Sequence, residues 1–265
     1  MNKYLVIGNP IDHSLSPLLH NFWIKKHGLN AIYEKKLVEK NDIEKILNNM
    51  DESNIRGINV TVPFKKMVIP FLDQLSETAK HTQSVNTILK KQKKLVGDNT
   101  DVYGFSEAIK LTHFNLKNKT ALILGAGGVV PSIILALKNM GTLQIILSNR
   151  TKGKAENLKK SFPFLKVINW GEATKSDLII NATSIGIKQN EEINLDYHKL
   201  DGQLFYDVIY NPSKTKFLEN AEKFGKKTEN GKTMFIYQAA KAFEIWHGVK
   251  PEIDKEVLDL IKWSK

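Results

Sequence analysis

The sequence predicts an α/β protein of two domains, and three observations predict it. Short apolar runs alternate with segments whose apolar residues recur at helical spacing, the pattern of strands connected by helices. At 265 residues the chain is long enough to divide its core between two domains. From Thr120 to Val130 the run TALILGAGGVV stops in glycines and resumes at helical spacing, as a buried strand does when it turns into a helix.

Tyr4 to Ile7 reads as a short strand closed by Gly8-Asn9-Pro10, followed by the polar loop IDHSLSP and an apolar helix from about Pro17 to Lys26. Pro17 suits the first turn of that helix. Ser14 and Ser16 stand at its N-terminal edge, where hydroxyls cap a helix or hold an anion. Capping accounts for one serine, whereas a substrate carboxylate would use both. Ala31 to Val38 reads as a second strand and Asp42 to Met50 as a helix with Ile43, Ile46, Leu47 and Met50 on one side. Gly57 to Val62 is a third strand, and the alternation predicts a mainly parallel sheet. Its end, Asn59-Val60-Thr61-Val62-Pro63-Phe64-Lys65, sets Asn59 and Thr61 on one face and turns at Pro63 to present Lys65 near a strand end. Open α/β sheets hold their ligands at strand ends.

Pro70 limits the next helix, and Leu75 to Thr82 supplies another helical turn or two. Val85 to Leu89 and Lys94 to Val96 read as a hairpin pair carrying Asn86. Gly97-Asp98-Asn99-Thr100-Asp101 leads into a helix from Val102 to Leu111. Asp101 either caps that helix and meets its dipole or joins Asn99 and Thr100 in a polar junction of the kind that forms clefts.

From Thr120 the rhythm becomes strand, helix, strand, helix. Gly125, Gly127 and Gly128 allow a tight turn that brings backbone N–H groups and a helix N-terminus against a pyrophosphate; an ordinary glycine turn is the plain alternative. The helix beyond carries Val130, Ile133, Ile134 and Leu137 on one face, with Pro131 tolerated in its first turn. The strand Leu143 to Leu147 then ends in Ser148-Asn149-Arg150-Thr151-Lys152. A dinucleotide fold that prefers NAD places an acidic residue about twenty positions after the glycines. Here a guanidinium, a hydroxyl and nearby Lys152 or Lys154 suit a 2′-phosphate instead, so the expected cofactor is NADP. A basic loop capping the next helix would account for Thr151 and leave Arg150 as coincidence.

Lys166 to Asn169 and Asp177 to Asn181 are two more short strands, the second running into Asn181-Ala182-Thr183-Ser184-Ile185-Gly186. That loop suits close passage by a cofactor, or a plain turn. Gln189 to His198 is a polar loop. Leu204 to Ile209 reads as the final strand, containing Asp207 and ended by Tyr210-Asn211-Pro212, and a helix runs from about Lys214 to Phe224. Gly231 precedes a helix with Met234, Phe235, Ala239, Ala242, Phe243 and Trp246 at helical spacing. Gln238 shares a face with Met234, and a buried amide there needs a backbone or ligand partner. A closing helix runs from Ile253 to Trp263 with Val257, Leu260 and Ile261 as its stripe.

Composition excludes several classes. No apolar run approaches the roughly 20 residues of a membrane span, and the N-terminal apolar segment is too short for a signal peptide, so a cytoplasmic protein with no membrane partner is expected. The absence of cysteine excludes disulfides, thiolate metal sites and a cysteine nucleophile. The net charge of +11 comes from scattered lysines with only two arginines, Arg56 and Arg150, which describes a solvated surface rather than a nucleic-acid groove. The seven histidines are spread out with no metal-ligand spacing, so no metal is expected.

Taken together these segments resemble the shikimate dehydrogenase family over essentially the whole chain. The resemblance is carried by GNPIDHSLSP (Gly8 to Pro17), NVTVPFK (Asn59 to Lys65), Ser84-Val85-Asn86-Thr87, Gly97 to Asp101, LGAGG (Leu124 to Gly128), Asn149-Arg150-Thr151, NATSIG (Asn181 to Gly186), YDVIYNPSKT (Tyr206 to Thr215), and Gly231 with Met234 and Gln238. It implies reversible NADPH-dependent reduction of 3-dehydroshikimate to shikimate, in aromatic amino-acid biosynthesis, by a monomer or homodimer acting on a small molecule. By the same resemblance, Ser14 and Ser16 hold the substrate carboxylate and Thr61, Asn86, Asp101 and Gln238 its hydroxyls, with Asn59 and Tyr210 also on the substrate side. Lys65 is implied as the acid/base or polarising group, paired with Asp101. Gly125, Ala126, Gly127, Gly128, Val129, Asn149, Arg150, Thr151, Lys154, Thr183, Ser184, Val208, Gly231 and Met234 are implied as cofactor contacts. The implied architecture is a substrate domain of residues 1–101 completed by 233–265, and a Rossmann-like NADP-binding domain of 102–232.

The chemistry agrees with that assignment. Hydride addition to a ketone places negative charge on oxygen, so a cationic proton donor beside the carbonyl lowers the barrier. Two features stand apart. Val130 occupies a place where such loops commonly carry a smaller residue, and it is expected to hold the helix slightly away from the strand. Quinate is a close substrate analogue, so a dual quinate/shikimate dehydrogenase is the alternative enzyme; paired serines favour shikimate. A catalytically silent NADP-binding regulator would need neither Lys65 nor Asp101.

Overall fold

The computed structural model describes residues 1–172, 174–188 and 190–261. Gln189, at the start of the expected polar loop, and Trp263, at the expected end of the closing helix, lie outside the described residues, as does the rest of 262–265. The chain forms two compact units, one made of Met1–Gly104 with the chain from Ile236, the other of Phe105–Phe235.

The first unit contains β1 (Asn2–Gly8), α1 (Ser16–Lys26), β2 (Ala31–Leu37), α2 (Ile43–Asn48), β3 (Ile55–Val60), β4 (Gln74–Leu75), α3 (Glu77–Thr82), β5 (Thr87–Lys91), β6 (Lys94–Asp98) and the start of α4 (Asp101–Leu111). Its sheet runs β2-β1-β3-β5-β6-β4. Only β1 with its two neighbours and the β4 and β6 pair are parallel; β3 with β5 and β5 with β6 are antiparallel. The mainly parallel expectation thus holds for three of the five pairings; the exceptions centre on β5, because its two-residue connection to β6 makes a hairpin, and a hairpin is antiparallel. Leu75 is in a strand rather than the expected helix. The helix begins after Ser76, whose Oγ accepts from the Ala79 N–H at 3.1 Å.

One face of this sheet packs Leu5, Ile7, Ile58, Val60 and Ile88 against Leu47, Met50, Phe64 and Val68. The edge strand β2 buries Tyr33 alone and turns its lysines outward, which blunts the edge. Trp246, on α8 (Lys232–His247), lies over Gly57 so closely that a Cβ there would come within 2.4 Å of the indole. The indole N–H donates to the Ile88 carbonyl at 3.0 Å. A glycine in the middle of β3 is therefore the condition for α8 to dock. The closing helix α9 (Lys255–Leu260) is capped by Asp254, and Trp23 of α1 donates to the Glu252 carbonyl at 3.2 Å.

The second unit contains β7 (Thr120–Leu124), α5 (Val130–Asn139), β8 (Gln144–Ser148), α6 (Lys152–Ser161), β9 (Lys166–Ile168), β10 (Leu178–Asn181), β11 (Leu204–Asp207), α7 (Lys216–Lys223) and β12 (Lys227–Glu229). The order is β12-β11-β10-β7-β8-β9, parallel throughout. This is the doubly wound Rossmann-like arrangement, whose strand order reverses at β7. Its strands are buried on both faces, Leu122, Ile123, Ile179 and Ile180 being wholly enclosed. Leu204 to Ile209 is not the final strand: β12 extends the sheet by one more. Its residues Lys-Thr-Glu have no apolar signal, and it joins through backbone pairing to β11 alone.

Candidate active site

In both sheets the strand order reverses beside the first strand, and a glycine ends that strand. In the first unit a Cβ on Gly8 would lie 2.5 Å from the Thr61 methyl across the β1 and β3 pair. In the second, Gly125 has φ +114° and a Cβ there would lie 2.7 Å from the Ala182 carbonyl oxygen. Each strand end is thus closed to side chains, leaving a place where a ligand meets backbone and loop.

The loop after Gly8 brings Ser14 and Ser16 to the start of α1. The helix is preceded by Leu15 and no side chain caps it, so the capping reading of the serines fails. Ser14 Oγ receives only a long contact from the Ser16 N–H, 3.4 Å. The Ser16 hydroxyl lies against that of Tyr33, which burial pushes well above its ordinary value.

From β3 the chain passes through the turn 61–68. Phe64 N–H bonds to the Thr61 carbonyl at 2.9 Å and Val85 N–H to the Lys65 carbonyl at 2.8 Å, which fixes the backbone that carries Lys65. Its ammonium donates to Asp101 Oδ2 at 2.5 Å, with the two side chains only 12% and 7% exposed. The other oxygen, Oδ1, accepts from Asn86 Nδ2 at 2.9 Å. Asp101 opens α4, yet its carboxylate is spent on Lys65 and Asn86 rather than on capping. Asn99 Oδ1 accepts from the Asp101 N–H instead, at 3.1 Å. Gln238, on α8, accepts a longer contact from Asn86 Nδ2, 3.4 Å. Lys65, Asp101, Asn86 and Gln238 therefore converge in the first unit, with Thr61 half-buried beside Gly8.

Asn59 is placed differently from its reading as a substrate group. It is 7% exposed, and both amide hydrogens are used inside the protein, toward the Asn86 carbonyl at 3.0 Å and Thr87 Oγ1 at 3.1 Å. Its oxygen accepts from the Tyr33 hydroxyl at 2.7 Å. Tyr210 lies in the second unit, where its ring meets Phe235 at 4.8 Å and burial raises its hydroxyl.

In the second unit, Gly125, Ala126, Gly127, Gly128 and Val129 link β7 to α5. No side chain caps α5, but its first turn spends its own N–H groups, Val130 on the Gly127 carbonyl and Ser132 on the Val129 carbonyl at 3.0 Å, and Pro131 has none, so an anion would be met by the loop backbone and the helix dipole. Gly125 is demanded by the fold. A Cβ on Gly127 would meet nothing nearer than the Ala182 oxygen at 3.8 Å, and Gly127 is exposed. The open side of Gly127 fits a pyrophosphate that must approach the backbone. Val130 is fully buried, its N–H bonded to the Gly127 carbonyl at 3.1 Å, so its side chain joins the core and leaves the loop face clear.

At the tip of β8, Arg150 is exposed and no acidic side chain pairs with it among the described residues. Thr151 precedes α6 without a side-chain cap bond, so the capping account of this loop fails for Thr151. Asn149 Nδ2 braces the loop on the Thr151 carbonyl at 2.8 Å, Lys154 N–H bonds to that carbonyl at 3.0 Å, and Lys152 turns to Asn169 at 3.1 Å. After β10, the Thr183 hydroxyl bonds back to Asn181 Oδ1 at 2.7 Å, while Ser184 is exposed. Gly231 is set by packing: a Cβ there would fall 2.1 Å from the Val208 carbonyl oxygen. Met234 is buried in the first turn of α8. Beneath this loop Asp207 accepts from Asn181, Thr215 and the Ile209 N–H, and burial pushes its carboxyl up to about 6.

The sequence reading missed Tyr33, Thr87 and His20. Tyr33 had one usable signal, a lone aromatic in an otherwise lysine-rich strand. Thr87 stands in the Ser84-Val85-Asn86-Thr87 motif, which gives it no role of its own.

An α/β chain that carries a lysine–carboxylate pair in one unit and an open glycine turn with a basic strand tip in the other has the make-up of a dinucleotide-dependent dehydrogenase. Residues 6–88 match the shikimate dehydrogenase substrate binding domain, 107–205 the shikimate / quinate 5-dehydrogenase domain, and 231–255 the shikimate 5'-dehydrogenase C-terminal domain. The shikimate dehydrogenase (NADP(+)) of Pelagibacter ubique is 58% identical over 259 residues, covering 97% of this chain and 98% of that one. A solved shikimate dehydrogenase in complex with NADP+ is 34% identical, with a TM-score of 0.91 over 99% of this chain and 96% of that one. The enzyme of Thermus thermophilus, solved with NADP(H) and shikimate, is 33% identical, with a TM-score of 0.87 over 95% of each chain. The chain belongs to the shikimate dehydrogenase family and is an NADP-dependent oxidoreductase.

Proposed function

We propose that Lys65 and Asp101 form the acid/base pair for the family's reaction, the reversible NADPH-dependent reduction of 3-dehydroshikimate to shikimate. The observation that supports this most is the contact of Lys65 Nζ with Asp101 Oδ2 at 2.5 Å, with Oδ1 held separately by Asn86. A flexible lysine is thereby fixed in direction. Its ammonium donates a proton to the substrate carbonyl oxygen as charge develops there, a positioned transfer worth about 10² to 10⁴ in rate. Asp101 orients the donor.

The hydroxyls of Ser14 and Ser16, left unused by helix capping, receive the substrate carboxylate; Thr61, Asn86 and Gln238 hold its hydroxyls. Asn59 acts from behind. When bound, NADPH supplies the hydride. The turn from Gly125 to Val129 would hold its pyrophosphate, Arg150 with Thr151 and Lys154 its 2′-phosphate, and Thr183, Ser184, Val208 and Met234 would lie along the rest of it. Tyr210 belongs with the substrate groups by sequence motif. In this reading residues 1–101 with 233–265 form the substrate domain and 102–232 the cofactor domain of a cytoplasmic monomer or homodimer. No helix among the described residues is long and apolar enough to cross a membrane.

The test is absorbance at the nicotinamide band with shikimate and either NADP⁺ or NAD⁺. Reduction of NADP⁺ in preference to NAD⁺ is expected. No reduction with either would overturn the enzyme reading, and a preference for NAD⁺ would overturn the role given to Arg150. Turnover of quinate at a rate equal to shikimate would replace the strict enzyme by a dual one.

A further inference from the structure

Behind the acid/base pair lies a row of buried polar side chains. Thr87 begins β5, directly opposite Asn59 of β3 and Asp98 of β6, and it has no exposed surface. Its hydroxyl accepts from Asn59 Nδ2 at 3.1 Å and donates to Asn86 Oδ1 at 3.0 Å. The same Asn86 oxygen also accepts the Thr100 N–H at 2.8 Å. These donors decide how the Asn86 carboxamide is turned. With Oδ1 held on the inner side, Nδ2 faces Asp101 Oδ1 and Thr100 Oγ1, each at 2.9 Å. The opposite turn would set an amide oxygen against a carboxylate, two acceptors with no proton between them.

Asn59 is itself held by the Tyr33 hydroxyl at 2.7 Å, so the row runs Tyr33, Asn59, Thr87, Asn86, Asp101, Lys65. Each bond as far as Asp101 runs from a donor on one residue to an acceptor on the next, and Lys65 donates to Asp101 from the other end; a buried network of this kind rigidifies when fully satisfied. We infer that Thr87, through its hydroxyl, is a positioning residue for the Lys65 and Asp101 pair. It touches no reacting atom. It fixes Asn86, Asn86 fixes one oxygen of Asp101, and the other oxygen aims Lys65. Loss of the hydroxyl leaves an Asn59 N–H without its partner and leaves Asn86 Oδ1 held by Thr100 alone, which loosens Asn86 and misplaces the proton donor while leaving the serine end of the site intact. The inference rests on the reading of Lys65 as the proton donor.

The experiment compares Thr87→Val, which keeps the shape and removes the hydroxyl, with Thr87→Ser, which keeps the hydroxyl, and with Lys65→Ala, in shikimate oxidation by NADP⁺. Thermal denaturation of each is recorded. Thr87→Val is expected to lower kcat about tenfold with a smaller rise in KM for shikimate, about threefold, since Asn86 also meets the substrate and a small misplacement of a catalytic group costs up to about 10² in rate. Thr87→Ser is expected to stay within about twofold of the parent. A parental kcat in Thr87→Val overturns the inference, and so does a Thr87→Ser enzyme as impaired as Thr87→Val, because the hydroxyl would then not be the determinant. If Thr87→Val does not fold, Thr87→Ala is read against the same serine variant with the same criteria. A Lys65→Ala enzyme of near-normal kcat would instead sink the acid/base reading itself.

Discussion

The two units solve the same problem with different groups. Each has a sheet whose order reverses beside its first strand, a glycine at that strand's end, and an uncapped helix after the loop: Gly8 and α1 in one, Gly125 and α5 in the other. In the first unit the loop supplies serine hydroxyls, and the neighbouring strands supply a buried network of amides, hydroxyls and one ion pair. In the second it supplies bare backbone. A small polyhydroxylated acid offers many groups with definite directions, and only side chains fixed by their own partners can match them. A pyrophosphate offers diffuse charge, which N–H groups and a helix dipole meet if no side chain stands in the way.

The largest effect should come from the directional side. Lys65→Ala is expected to lower kcat by about 10² to 10⁴ while changing KM much less; steady-state kinetics with shikimate varied measures this, and a near-normal kcat would contradict it. On the diffuse side, Arg150→Ala should raise KM for NADP⁺ about tenfold to a hundredfold, as loss of a charged hydrogen bond costs about 1.5–3 kcal/mol. KM for NAD⁺ should hardly move, and an equal rise for both cofactors would place Arg150 elsewhere than on the 2′-phosphate.

The glycine turn sharpens the comparison further, because its glycines have different reasons. Gly125→Ala should cost about 2 kcal/mol or more in chemical denaturation, given its φ of +114° and the Ala182 oxygen 2.7 Å from the new Cβ. Gly127→Ala should leave stability within about 0.5 kcal/mol and raise KM for NADP⁺ severalfold. Equal destabilisation by both would mean that Gly127 serves the fold and not the ligand.

The units also differ in how they meet acid. His20 is 1% exposed, stacked on Tyr33 at 4.2 Å with neither ring nitrogen bonded, and burial holds it down at about 3. Neutral His20 favours the fold above the unfolded value near 6.5, and that stability is lost as pH falls from there toward 3. Between pH 6.5 and 5 the loss is about 2 kcal/mol. His247, held at about 4 also by burial, acts in the same sense. Asp207, raised to about 6, acts in the opposite sense: its contribution is complete below about pH 4 and is lost as pH rises through 6. His20→Phe should therefore flatten the acid limb of stability against pH and Asp207→Asn should not; identical limbs in all three proteins would remove His20 as a cause.

Much of this was legible in the residues. TALILGAGGVV and the alternation around it state their own physics, because a buried parallel strand must be apolar and a tight strand-to-helix turn must be small. Lys65, Asp101 and Asn86 could be named from their motifs and Lys65 paired with Asp101 by the family resemblance, but the geometry of the pairing could not be read, since 36 residues separate the ion pair in the chain. Strand β12 was illegible for the same reason as Thr87: neither owes its place to its own side-chain period. One is held by backbone pairing at an edge, the other by what lies across the strand from it.

By itself the sequence determined the element types, the division into two α/β runs and the chemistry available at each loop, because hydrophobic period, glycine and charge act locally. Tertiary structure alone decided which polar groups are spent and which are left over. It spent Asn59 on the interior, relieved Ser14 and Ser16 of capping, and gave the two oxygens of Asp101 to different partners. A hydrogen bond is a property of two groups and the distance between them, and folding sets that distance.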